Sequence, residues 1–390
     1  MTAWTTSTLG NVASVFNGKT PSKGEQRAEG HPVLKIRDVS ELGVFRGKCE
    51  SFVDHALAEK HAIKKVIRGD TLILNAAHNA DYVASKTFRA SQPTFGTLAT
   101  GEWLIVRPDE KVLDAAFVNH WINARHTRSQ LRELVNGIHL YPKDVARLKI
   151  SLPPLPEQRR IAAILDQAET LRCQRRAALA QLDSLTQSLF LNMFGDPREN
   201  PRSWRVSPVG EYSDCIVPGR DKPKSFTGVV PWITTANLNH LGKTIGSTGG
   251  LALSQSEIEV VRAKVIPSGS VVISCVGDLG IISMAGVPMV INQQLHSFQC
   301  HAELNNVFLM HCLAFQKAFM LAKASSTTLP YMNKTVCNSI PVIVPPLALQ
   351  QTFATRIQAI ESLKATHRAA LAELNALFAS LQQRAFAGKL

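Results

Sequence analysis

The chain has 390 residues, 45% apolar and 19% charged, a length for two or three domains and a composition that excludes global disorder. Lys and Arg number 43 against 30 Asp and Glu, a net charge of +13 before any contribution from 12 His. The excess is +6 over residues 1–155, +1 over 156–195, +3 over 196–347 and +3 over 348–390, so both halves carry it. A polyanionic partner contacted by two bodies is the expectation.

Met1 to Gly18 offers neither a basic segment nor an apolar core, so no signal peptide is expected. Next come Val/Ile-rich runs broken by Gly turns, such as Val66–Ile73 (VIRGDTLI), which read as strands. His78-Asn79 comes after the strand-like TLILN run and falls on a loop. The basic and polar residues around it that suit phosphate or base contacts are Lys19, Thr20, Lys35, Arg37, His78, Asn79, Tyr82, Lys86 and Arg89.

Residues 152–194 read as one long helix. Pro156 suits a first turn, Glu157 meets the positive end of the dipole, and Gly195 with Pro197 stops it. Ile161, Ala168, Leu182 and Leu189 take one seam position of a heptad; Ile164, Leu171, Ala178 and Leu185 take the other. This stretch recurs without a gap at 344–386, an offset of 192, with seventeen identities in forty-three positions. There Phe353, Ile360, Leu374 and Leu381 form one seam row, and Leu363, Ala370 and Leu377 the other. The same register puts Arg175 and His367 in the seam, and a polar layer at the middle of an antiparallel pair is expected.

Between the helices the first body repeats weakly. Trp4 and Gly10 return as Trp204 and Gly210, VIRGDTLI as IPSGSVVI (266–273), and LDAAFVNHWI (113–122) as LNNVFLMHCL (304–313). Val271 to Ile291 is lipophilic and of membrane-span length, but its Gly and Pro and its Val/Ile content indicate broken strands. Candidate contact residues in this half are Arg220, Lys222, Lys224, Asn237, Asn239, Lys243, Asn292, Gln293 and Gln294, since Asn and Gln pair bidentately with adenine. For the cluster Asn292, Gln293 and Gln294, amides capping strand ends are the competing reading. The fold expected is α+β: two α/β globules separated by two long antiparallel helices in a coiled coil with pseudo-twofold symmetry. Its segments are 1–151, 152–195, 196–343 and 344–390.

Catalytic motifs fail. Gly18-Lys19-Thr20 and Gly242-Lys243-Thr244 end like phosphate loops, but Ala13 and Asn237 replace the required earlier glycine. There is no GxGxxG, HExxH or GxSxG, and the Asn/Asp-Pro-Pro-aromatic tetrapeptide of amino-methyltransferases is missing. Seven Cys form no CxxC pair, so free thiols in a reducing cytoplasm and no metal site are expected. A non-catalytic recognition subunit fits these features.

Leu152-Pro-Pro-Leu-Pro-Glu-Gln-Arg-Arg-Ile161 ahead of a long helix resembles the central conserved region of type I restriction–modification specificity subunits. Residues 344–351 are similar to their C-terminal conserved region, with Ala348-Leu349 departing from the acidic-Gln pattern. Gly18-Lys19-Thr20-Pro21, Arg68-Gly69-Asp70-Thr71 and Phe194-Gly195-Asp196-Pro197 are smaller pieces of the same likeness. The resemblance implies that each globule is a target-recognition domain for one half of a split double-stranded DNA sequence. The helices would set the spacer and dock two DNA adenine methyltransferase subunits, which restriction-translocase subunits join. S-adenosylmethionine, ATP and Mg²⁺ would belong to those partners, no membrane is involved, and the chain is expected in the cytoplasm. A coiled-coil adaptor and an autonomous DNA-binding regulator are the alternative readings.

Overall fold

A computed structural model describes residues 4–219, 221–326 and 329–390. The chain divides into two compact units. The first is Met1–Arg176 with Ala369–Leu390, and the second is Ala177–Arg368. Each unit therefore combines a globule with half of each long helix.

In the first unit an antiparallel sheet runs in the order Ala13–Asn17, Trp103–Pro108, Thr71–Leu74, Thr87–Arg89. Its two central strands are apolar on successive residues because both faces are covered. Ile73, Leu104 and Val106 point to a core shared with the helix Ala115–Ile122 and with Ile161, Leu165 and Ala385 of the long helices. Leu72, Leu74, Trp103 and Ile105 point the other way, toward Leu34 and Ala99 of a smaller sheet. That sheet runs Gln26–Arg27, Phe52–Val53, His31–Leu34, Leu98–Ala99, its last pair parallel. Thr5–Thr8 and Lys149–Leu152 pair antiparallel where the globule joins the helix.

The second unit has the same plan. Ser213–Ile216, Leu295–Cys300, Val271–Ser274, Ile282–Ala285 and Lys243–Thr244 form one sheet, and Ala252–Leu253, Val230–Ile233, Met289–Ile291 and Val265–Ile266 a second. Arg205–Pro208 pairs with Pro341–Val344. The lipophilic stretch 271–291 is thus three strands, as its glycines indicated. Gly69 and Gly269 take φ of +90° and +88° at equivalent turns, a region open chiefly to glycine, which explains why that position recurs. Asp114 and Asn305 cap the equivalent helices Ala115–Ile122 and Asn306–Ala314 through their side-chain oxygens. All seven cysteines are free. No helix among the described residues is long and apolar enough to cross a membrane.

The long helices span Leu155–Phe194 and Leu347–Phe386. Within each unit their halves run antiparallel. In the first, Arg160 donates to the Leu390 carbonyl at 2.9 Å and Arg172 to Asn375 Oδ1 at 2.7 Å. In the second, Lys364 pairs with Asp183 at 2.8 Å and Arg356 approaches Met193.

The register differs from expectation in one row. Ile161, Ala168, Phe353 and Ile360 are buried, and Leu182, Leu189, Leu374 and Leu381 half-buried, as that seam required. The second row lies one residue later, at Leu165, Arg172, Leu179, Thr186 and Met193 and their equivalents Ile357, Lys364, Leu371, Phe378 and Ala385. Leu171, Leu185, Leu363 and Leu377 are instead 44%, 49%, 53% and 50% exposed. Each helix half packs on its own globule as well as on the other helix, so its buried stripe is wider than a two-stranded seam and is rotated toward the globule. Arg172 and Lys364 add polar side chains to this second row, whereas Arg175 and His367 belong to the first row. Arg175 is exposed in the first unit and His367 half-buried in the second.

Candidate nucleic-acid interface

The strand Thr71–Leu74 delivers the chain into the loop that carries His78, Asn79 and Tyr82. Asn79 caps a short turn by accepting from the Asp81 amide at 3.0 Å. The loop is held from behind. Ala84 sits at φ +58°, costly for a residue with a Cβ, while the Arg128 guanidinium donates to the Ser85 carbonyl at 2.6 Å and to that of Ala84. Burial lowers the pKa of Arg128, a second cost of a contact that serves to fix the loop.

The loop walls a cleft of about 720 Å³ whose other lining residues include Lys35, Arg37, Glu41, Glu102 and Ile138. Six of the nine candidates read from the sequence in this half therefore meet in one place: Lys35, Arg37, His78, Asn79, Tyr82 and Lys86. Tyr82 and Ile138 are exposed at 61% and 43%, a combination of cations, amide and apolar surface that suits a nucleic-acid groove.

Lys86 is a correction. It is buried, its ammonium pairing with Glu41 at 2.8 Å and donating to the Val39 carbonyl at 3.0 Å, so it fastens the 36–41 segment rather than facing a phosphate. Arg89 also departs from the cleft: it pairs with Asp166 of the first long helix at 2.9 Å and lines a separate cavity with Arg68 and Arg159. Lys19 is half-buried with its amide on the Ala99 carbonyl, and Thr20 Oγ1 accepts from the Gly101 amide at 3.0 Å. Gly18, first of the GKT run, is required by a close approach, since a Cβ there would stand 2.2 Å from the Thr100 carbonyl oxygen. The run is a backbone junction, not a phosphate loop.

In the second unit the candidates fall on three segments. Lys222 and Lys224 are exposed, and Arg220 lies outside the described residues. Asn237 caps a turn by accepting from the Thr234 amide at 2.8 Å; Asn239 donates to the Lys243 carbonyl at 3.3 Å, and Lys243 itself is exposed. Asn292 is buried, accepting from the Gln294 amide at 3.1 Å, while Gln293 donates to the Gly219 and Asp221 carbonyls. Gln294 alone of these three is exposed. The capping role weighed against base reading therefore describes Asn292, and Asn237 plays a similar part in its own turn.

Sequence reasoning missed Glu102, Glu41 and Ile138 because it sought cations and amides. Arg128 was missed because the strongly polar helix Arg125–Glu133 gave no sign that one of its arginines turns inward. Among the described residues no cluster of three or more His, Cys, Asp or Glu could hold a metal ion.

Comparison with known proteins matches this duplicated architecture. The family model for the type I restriction modification DNA specificity domain matches residues 1–181 and again 202–376. The chain is similar to the MjaX protein of Methanocaldococcus jannaschii, whose name describes a type I restriction enzyme specificity subunit: 21% identity over 92% of this chain and 87% of that one. It is also similar to the HindI specificity subunit of Haemophilus influenzae, 21% identical over 64% of this chain and 55% of that protein, so it spans about half of the latter. The fold resembles the type I S subunit from M. genitalium, with a TM-score of 0.61 and 14% identity over 98% and 96% of the two chains. It also resembles a chain from a type I system solved to explain complex assembly, with a TM-score of 0.56 and 19% identity over 100% and 99%. With a loop-walled cleft in one unit, the same sheet plan in the other and a family match to both, the chain belongs to the type I restriction–modification DNA specificity family and is a DNA-recognition subunit.

Proposed function

We propose that each unit reads one half of a split, asymmetric DNA sequence, and that the long helices fix the distance between the halves. On this reading the helices also dock two copies of a DNA adenine methyltransferase, to which restriction–translocase subunits add, and the catalytic cofactors belong to those partners. The contact residues proposed for the first half-site are Lys19, Thr20, Lys35, Arg37, His78, Asn79 and Tyr82. Those for the second are Arg220, Lys222, Lys224, Asn239, Lys243, Gln293 and Gln294.

The observation that carries the reading is the Gln158 and Gln350 pair. The Gln158 side chain accepts from the Asp114 amide at 2.8 Å and donates to the Val112 and Pro153 carbonyls at 3.0 and 2.9 Å. Gln350 accepts from the Asn305 amide at 2.8 Å and donates to the Glu303 and Pro345 carbonyls at 3.2 and 2.8 Å. Both are buried, and each ties a helix start to the capping residue of its own globule. A partner that recognises one junction finds the same junction 192 residues on, which supports two copies. Leu171 and Leu377 in the first unit, and Leu185 and Leu363 in the second, are exposed and supply apolar docking positions for partner helices.

An electrophoretic shift assay with the chain alone and with its methyltransferase tests this. The reading expects weak binding alone and strong, sequence-specific binding of the assembly. A full-strength specific shift by the chain alone, or none even with the partner, would contradict it.

A further inference from the structure

We propose that Glu102 is a specificity-determining residue of the first unit, its carboxylate accepting an exocyclic amino group of a DNA base, cytosine N4 before adenine N6. The proposal rests on the reading of the His78–Asn79 cleft as a DNA surface and deepens it.

Glu102 is exposed and lines two neighbouring clefts. One is the cleft of about 720 Å³ shared with Lys35, Arg37 and His78; the other is of about 240 Å³ and shared with Lys35, Thr20 and Ser51. Lys35 lines both, yet among the described residues no ion pair joins it to Glu102. The one side-chain partner described for the Glu102 carboxylate is Thr100, whose hydroxyl donates to Oε2 at 3.2 Å, leaving Oε1 open. By contrast, the other acidic residue of the larger cleft, Glu41, is spent on Lys86 at 2.8 Å.

The backbone that carries the carboxylate is also held in place. The Glu102 carbonyl accepts from the Asn75 amide at 2.9 Å, the Trp103 amide closes the turn on the Thr100 carbonyl at 3.0 Å, and Gly101 is bound by Thr20. Gly18 packs against the same turn too closely for any side chain. An open carboxylate on a fixed turn, in a surface that meets phosphates, is repulsive, and salt screens it little at contact distance. Facing base edges, the same group finds the donors that match it. Cytosine N4 is the amino group acidic side chains read in the major groove, and a well-placed base contact is worth about 1–3 kcal/mol, roughly 5- to 150-fold in discrimination.

The test uses the full chain assembled with its methyltransferase, with the half-site read by the first unit defined by mapping the adenines this assembly methylates. Binding is measured to the cognate duplex and to duplexes changed at each base pair of that half-site. Glu102→Ala, Glu102→Gln and the double variant Lys35→Ala/Arg37→Ala are compared, with thermal unfolding as the folding control. Glu102→Ala is expected to lose 5- to 150-fold discrimination at a single base pair while binding non-cognate DNA more tightly. Glu102→Gln, which keeps an acceptor oxygen, should restore part of that discrimination. The double variant should weaken binding to all sequences alike. Full discrimination in both Glu102 variants, with the double variant weakened, overturns the inference and leaves the cleft as a DNA surface. No effect of any variant removes the cleft from the interface and overturns both. Equal weakening of Glu102→Ala on every duplex assigns Glu102 a structural role and overturns the inference.

Discussion

Arg107 holds the buried Asp70 carboxylate from two sides, Nε to Oδ1 at 2.8 Å and Nη2 to Oδ2 at 2.8 Å. The pair sits under the turn that opens the strand Thr71–Leu74, and Asp70 also accepts from the Ile67 amide at 2.9 Å. At the equivalent place in the second unit Gln299 donates to Ser270 Oγ at 3.0 Å. Duplication preserved the strut and exchanged a buried ion pair for a neutral hydrogen bond.

The two struts should fail unequally. Asp70→Ala leaves the half-buried Arg107 guanidinium with only the Ile63 and Lys65 carbonyls and is expected to cost about 3–5 kcal/mol, whereas Ser270→Ala removes two neutral bonds, to Pro267 and from Gln299, and costs about 1–2 kcal/mol. Urea unfolding of the two variants measures both. Equal losses would show that the ion pair contributes no more than the neutral bonds.

A second prediction concerns the polar seam. Arg172 donates to Glu169 and Asn375 and lies over the Phe378 ring, 4.4 Å from its centroid. Its equivalent Lys364 pairs with Glu361 and Asp183 at 2.8 Å each. Burial pulls the Lys364 pKa down, but bonds to Asp183 and Glu361 outweigh it and the net shift is upward. Lys364→Ala should destabilise the second unit by about 2 kcal/mol, part from the lost stem packing and part from the lost ion pairs to Asp183 and Glu361, the latter keeping only Arg368. Thermal unfolding of the variant reads this, and an unchanged midpoint would refute a structural role.

The second unit should also be the acid-sensitive one. Burial lowers His311 and His296 to about 4 from 6.5, assisted by Lys364 and His240 at the first and Lys334 at the second. His311 Nε2 has no hydrogen-bond partner among the described residues, and its ring meets Phe353 edge-on. Because the folded pKa lies below the unfolded one, the unfolded chain takes up the proton first. The stability these neutral rings contribute is full above pH 6.5 and is lost as pH falls through about 4. For His311 the loss approaches about 3 kcal/mol. The equivalent His120 instead bonds Asp166 at 2.8 Å. His311→Leu should flatten the fall of the unfolding midpoint between pH 6.5 and 4, and an unaltered slope would contradict the assignment.

Helix length should set the spacer. Four residues inserted near Ala178 lengthen one helix by about 6 Å and rotate its downstream half by a little over one turn. The expected product is an assembly that methylates the same half-sites around a longer spacer, or an inactive one whose helices fail to re-pair. Methylation of the original sequence at the original rate would refute a ruler.

The long helices were legible because repetition fixed them twice, once by periodicity and once by identity at an offset of 192. The strands were legible because both sheet faces are covered, so Thr71–Leu74 and Val271–Ser274 are apolar on consecutive residues. The register was not, because a heptad assumes a helix with one partner and each half here has two. That is why Leu171 is exposed and Arg172 is not. The candidate site was half legible. His78-Asn79 could be placed because a strand there ends in a polar loop. Burial of Lys86 depends on the distant segment 36–41, and Glu102 on a turn assembled from Gly18, Thr20 and Asn75. No local pattern announces either.

Exchange of recognition between the units is the most direct test of the central claim. Residues 1–151 are replaced by the matching segment of a relative, and methylated adenines are mapped genome-wide in cells holding the chimera with its methyltransferase. The account predicts a site in which one half changes while the other half and the spacer stay as they were. A site in which both halves change together, or neither does, would contradict it.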